Sequence, residues 1–94
     1  MRSTYLVCYD IRDDKRLRKI AKTLEGFGTR MQYSVFRCYL TPTAMQELRW
    51  QLAKIIEPVD DLLVIGLCGP CIDRIRSLNG ESAWPDDPHG TLIL

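Results

Sequence analysis

Two short runs, YLVCY (Tyr5–Tyr9) and LLVIG (Leu62–Gly66), carry neither charge nor polar alternation. A strand turns successive side chains to opposite faces, so such runs predict strands covered on both sides. The rest of the chain offers two helical patterns. Leu17, Ile20, Ala21, Leu24 and Phe27 form the first, with Asp13 or Asp14 as N-cap and Gly26 with Gly28 as the stop. Met45, Leu48, Leu52, Ile55 and Ile56 form the second, opened by Thr41-Pro42 and stopped by Pro58. Two helices cover one face of a sheet. A second copy of the chain is the simplest cover for the other.

The order of elements narrows the fold further. Strands are expected over Thr4–Asp10, Gln32–Leu40 (QYSVFRCYL) and Leu62–Leu67. CGPCIDRIRSLNG suggests a helical turn over Pro70–Ile75 and a short strand over Arg74–Asn79. ESAWPDDPHG, with its prolines and Gly90, reads as a loop, and TLIL as a fragment of strand. The predicted architecture is α+β, a ferredoxin-like βαββαβ sandwich that forms a homodimer with its sheets face to face. It occupies all 94 residues as one domain, with the C-terminal loop and short terminal strand at about residues 81–94. A chain this long buries roughly 60–65% of its unfolded surface.

No segment approaches the roughly 20 apolar residues of a membrane span. MRSTYLVCYD has too short an apolar core for a secretory signal, so the expected location is cytoplasmic, with Cys8, Cys38, Cys68 and Cys71 as reduced thiols. The net charge of +1 conceals a division: residues 1–56 hold eleven Lys/Arg against five Asp/Glu, and residues 57–94 two against seven. Such a surface suits a polyanion on one side and a basic partner on the other.

Chemistry concentrates where the first strand ends. Asp10 terminates an uncharged run and is followed by Arg12, Lys15, Arg16, Arg18, Lys19 and Lys22, with Arg30 further on. A strand-end carboxylate among cations suits a divalent metal and a phosphate; it also suits an Asp that merely caps the next turn. The cations, opposite an apolar helix face, make either a solvated surface or a ridge that grips phosphates without reading sequence.

YLVCYDIRDDKRLRKIAKTLEGFGTRMQYSVFRCYLT, residues 4–41, closely resembles the N-terminal part of the CRISPR-associated protein two family, the small core subunit of CRISPR adaptation. The combination of an apolar strand ending in YD, a basic helix and a Q-x-SVF strand carries the resemblance. It implies a ferredoxin-like homodimer in which Asp10 and its symmetry mate hold a divalent cation such as Mg²⁺, with Tyr9 beside Asp10. It also implies that Arg16, Arg18, Arg30 and Phe36 handle nucleic acid, with Lys19 in the same basic group. The implied partners are the CRISPR integrase subunit and double-stranded DNA or RNA. Two roles follow, a dimeric scaffold for spacer integration and a metal-dependent endonuclease. In the second, hydrolysis is expected from a metal-activated water, because His89 reads as a surface residue. A ferredoxin-like RNA-binding or small-ligand module is the alternative, and it requires exposed aromatics such as Tyr5, Tyr9, Tyr33 and Phe36 on a free sheet.

CGPC, Cys68–Cys71, matches the thioredoxin active-site string, but only 23 residues follow it and Leu67 stands where Trp is usual. A zinc site would need a second pair, and Cys8 and Cys38 lie on separate strands. Trp50 falls off the apolar face of its helix and Trp84 lies in the proline-rich loop, each suited to anchoring a partner or to local packing.

Overall fold

The computed structural model describes residues 1–74. Its elements run β1 (Ser3–Asp10), α1 (Asp14–Glu25), β2 (Gly28–Gln32), β3 (Val35–Leu40), α2 (Pro42–Ala53), β4 (Asp61–Leu67) and α3 (Gly69–Ile72). The strands pair antiparallel in one sheet, in the order β2-β3-β1-β4. Helix α1 therefore joins strands that flank β3, and α2 joins strands that flank β1. This is the ferredoxin-like arrangement of two interleaved crossovers.

Local chemistry sets the helix boundaries. The Asp13 carboxylate accepts the Arg16 N–H at 3.0 Å, and Thr41 Oγ1 accepts the Ala44 N–H at 3.2 Å, each satisfying a donor that a first turn leaves free. Helix α2 ends at Ala53, ahead of the expected stop at Pro58. Ile55 and Ile56 leave the helix but still donate to Leu52 O, at 3.0 and 3.1 Å, and pack against the core.

The expected single strand Gln32–Leu40 is two strands. Tyr33 and Ser34 form the turn between β2 and β3, and the β1 residue Tyr9 donates its N–H to Ser34 O at 3.1 Å. β2 was hidden because GTRMQ is an edge strand with little apolar content and an irregular register between Arg30 and Gln32. Gly28, expected as a helix stop, is instead a close-approach point: a Cβ there would lie 2.3 Å from Arg37 O and 2.7 Å from Cys38 Sγ.

One core lies between the sheet and helices α1 and α2. Val7, Phe36 and Cys38 meet Ile20, Leu24, Leu48 and Leu52 there, all essentially without exposure. Strand alternation turns Leu6, Cys8, Asp10, Val35, Arg37, Asp61, Leu63 and Ile65 to the opposite, outer face. Helix α3 covers part of that face, setting Ile72 on Leu6, Met31 and Leu67. The helical turn expected from Pro70 is thus present one residue earlier. Leu63 and Ile65 remain 59% and 37% exposed. The expected strands at Arg74–Asn79 and TLIL, and the loop holding Trp84 and His89, lie outside the described residues.

Candidate functional site

Asp10 is the last residue of β1, and its register partner on β4 is Asp61. The register thus sets both acids on the outer face at directly opposed positions, a placement that costs stability unless a cation intervenes. They border an open depression of about 380 Å³ with Cys8 and Leu63. The Asp10 side chain is 70% exposed, with Arg12 Nη2 4.0 Å from its Oδ2. Asp61 was not anticipated, because only the antiparallel register brings it opposite Asp10.

Tyr9 borders the same depression as Asp10. One residue along a strand, its ring turns into the core, 6% exposed, and its hydroxyl donates to Tyr33 O at 3.4 Å. Burial raises its pKa, against the opposing effect of Arg30.

The loops that adjoin the two acids are clamped by Asp60. Its carboxylate accepts Arg16 Nε at 2.8 Å and Nη2 at 3.1 Å, the Arg12 backbone N–H at 3.1 Å and the Glu57 N–H at 3.0 Å. The Arg16 hydrogen bonds hold the Asp60 carboxyl far below the usual carboxylate range, and burial opposes them. Asp60 thus ties the segment after Asp10 to the segment before Asp61. Arg16 is accordingly engaged in this bidentate pair, with its side chain 24% exposed. Nothing in DD ahead of a strand distinguishes the clamping acid from its neighbour, so Asp60 was illegible before folding.

Arg18 and Lys19 are exposed on α1, with Lys15 and Lys22. Positions 15, 18, 19 and 22 share one helical face, opposite Leu17, Ile20, Ala21 and Leu24. Arg30 sits on β2 with its guanidinium 4.9 Å from the Phe36 ring centroid, and its Nη1 donates to Tyr33 O. Phe36 is fully buried, so it supports Arg30 from beneath. Tyr9, Leu17, Arg18, Arg30, Tyr33 and Ser34 line a hollow of about 420 Å³ between α1 and the β2–β3 turn, where Tyr33 is 89% exposed.

The carboxylate pair fits a hard divalent ion in donor type, since Mg²⁺ takes oxygen ligands and keeps several waters. Among the described residues no three His, Cys, Asp or Glu side chains gather at one point.

The family model described as CRISPR associated protein Cas2 matches residues 3–75. The chain belongs to that family. The CRISPR-associated endoribonuclease Cas2 1 of Chloroflexus aurantiacus is 39% identical over 92 residues, covering 96% of this chain and 98% of that protein. Among solved structures, Streptococcus pyogenes Cas2 superposes with a TM-score of 0.72 at 32% identity, over 80% of this chain and 98% of that one. A chain of a partial Cas6-RT-Cas1–Cas2 complex reaches a TM-score of 0.73 at 29% identity, over 83% of this chain and 92% of that one. The ferredoxin-like fold of the family is the one found here. No helix among the described residues is long and apolar enough to cross a membrane.

Proposed function

We propose that the chain serves CRISPR adaptation in the cytoplasm as a homodimeric scaffold, holding a nucleic-acid duplex by its backbone and engaging the integrase subunit. The observation that carries this is the α1 face on which Lys15, Arg18, Lys19 and Lys22 stand together in solvent. The similarity to a chain of a Cas1–Cas2 complex supports the integrase partner. The second copy covers the exposed Leu63 and Ile65 and repeats the cationic face across a two-fold axis. Arg30, fixed by Phe36 and the Tyr33 carbonyl, extends the positive surface past the end of α1. Arg16 acts through Asp60, as a positioning residue.

Charge reversal at Arg18 and Lys19 tests this reading. Duplex affinity should fall alike for unrelated sequences, and the slope of log K against log salt should shrink by about 0.9 per lost phosphate contact. Loss restricted to one sequence, at an unchanged slope, would contradict backbone recognition.

Metal-dependent phosphodiester hydrolysis is the second reading, favoured by the Asp10–Asp61 pairing and by the endoribonuclease names of the relatives. Asp10 and Asp61 of each protomer would hold Mg²⁺, which when bound lowers the pKa of a coordinated water. The Asp60 clamp fixes the spacing of the two loops, and the cations on α1 hold the phosphodiester. In Asp10→Asn, Mg²⁺-dependent cleavage should collapse while fold and duplex affinity persist. Cleavage at the wild-type rate would exclude Asp10 as a ligand.

A further inference from the structure

Cys68 and Cys71 take no part in the acid pair or the cationic face, and Asp61 lies at the other end of β4. Their Sγ atoms are 3.2 Å apart, and both residues are exposed. The backbone between them is already a closed turn: Cys68 O accepts the N–H groups of Cys71 and Ile72, each at 3.1 Å. A disulfide requires a sulfur separation of about 2.05 Å, so the two sulfurs need to approach by roughly 1.2 Å to bond. Among the described residues, a Cβ on Gly69, between the two cysteines, would meet nothing within 4 Å.

Cys38 is fully buried, and burial pushes its pKa up to about 11, which leaves it protonated and inert. Cys68 shifts the opposite way: the Cys71 thiol and backbone N–H hydrogen-bond its sulfur, and Arg74 adds positive charge, so its pKa is lowered. The thioredoxin fold is not needed for this chemistry; two thiols in contact at the surface suffice.

We propose that Cys68 and Cys71 form a reversible dithiol–disulfide site that reacts with low-molecular-weight disulfides of the glutathione class. The Cys68 thiolate attacks one sulfur of the reagent, its S–S bond breaks, and one thiol leaves carrying the proton. Cys71 then gives up its proton and attacks the Cys68 sulfur of the mixed disulfide, expelling the second thiol. Two protein thiols are oxidised and one reagent disulfide is reduced to two thiols, a two-electron exchange. The ring closes beside Ile72, so oxidation pins the turn that seats Ile72 on Leu6, Met31 and Leu67.

The test equilibrates the full chain with mixtures of reduced and oxidised glutathione, quenches with acid and reads intact and peptide masses. Wild type should pass to a form lighter by two hydrogens, mapped to the peptide joining Cys68 and Cys71, with little glutathione adduct at any ratio. Cys71→Ser should instead stop at one glutathione on Cys68. Cys68→Ser should form no bond within the 68–71 turn, and in a timed reaction its remaining thiols should take up glutathione at least tenfold more slowly than Cys68 does in Cys71→Ser. Circular dichroism of each serine variant confirms its fold. Wild type that accumulates the mixed disulfide as Cys71→Ser does would overturn the proposal. So would a bond mapped to Cys8 or between chains, or stoichiometric zinc that blocks oxidation. Because this chemistry needs neither duplex nor metal, its outcome is independent of the scaffold reading.

Discussion

Replacing Leu63 and Ile65 together by serine tests whether the outer face is a homodimer surface. Full burial of a Leu or Ile side chain is worth about 1.5–3 kcal/mol. The exposed fractions, 59% for Leu63 and 37% for Ile65, are what a second copy can still cover. Scaling gives about 1.5–3 kcal/mol per chain, and two-fold symmetry doubles this to about 3–6 kcal/mol per dimer. At about 1.4 kcal/mol per tenfold, dimerisation should weaken on the order of a hundred- to ten-thousand-fold. Neither side chain belongs to the buried core, so the monomer should keep its fold. Sedimentation velocity over a concentration series reads the dissociation constant, and circular dichroism checks the fold. A dimer of unchanged affinity would refute the assignment of this face, as would a wild-type chain that stays monomeric at micromolar concentration.

Asp60, whose pKa is lowered on folding, should contribute stability that is full above the unfolded value of about 3.9 and lost as pH falls toward the folded value. The melting temperature of wild type should therefore drop on acidification below about pH 4, and Asp60→Asn should start lower and lack that component of the drop. Gly28→Ala, ordinarily favourable in a strand, should destabilise by about 1–3 kcal/mol in a urea titration, because its Cβ meets the Arg37 carbonyl. Asp61→Asn without metal should leave stability unchanged or raise it by up to about 1 kcal/mol, since a like-charge cross-strand pair is relieved. A clear loss of stability in calorimetry would show that the two acids are not in opposition.

Much of the fold was legible before folding because its signals are local. Asp13 and Thr41 cap the helices as their side-chain chemistry requires, and the spacing from Leu17 to Leu24 marks the buried side of α1. The unalternating YLVCY and LLVIG runs identified β1 and β4 and pointed to an outer face that two helices leave open. β2 escaped notice because an edge strand buries little, so its residues follow no clear apolar pattern.

The candidate site divides along the same line. That Asp10 ends a strand and that cations crowd the following helix are properties of the chain order itself. Which acids meet is a property of register: antiparallel pairing sets Asp61 beside Asp10, while alternation turns Tyr9 to the other side of the sheet. Arg16 and Arg18 are indistinguishable in DDKRLRK, yet folding directs Arg16 to Asp60 and leaves Arg18 in solvent. Sequence determined the elements and the supply of charge, since propensity and periodicity act over a few residues. The tertiary structure decided which charges meet, because contacts across 44 and 48 positions of chain exist only once the sheet has closed.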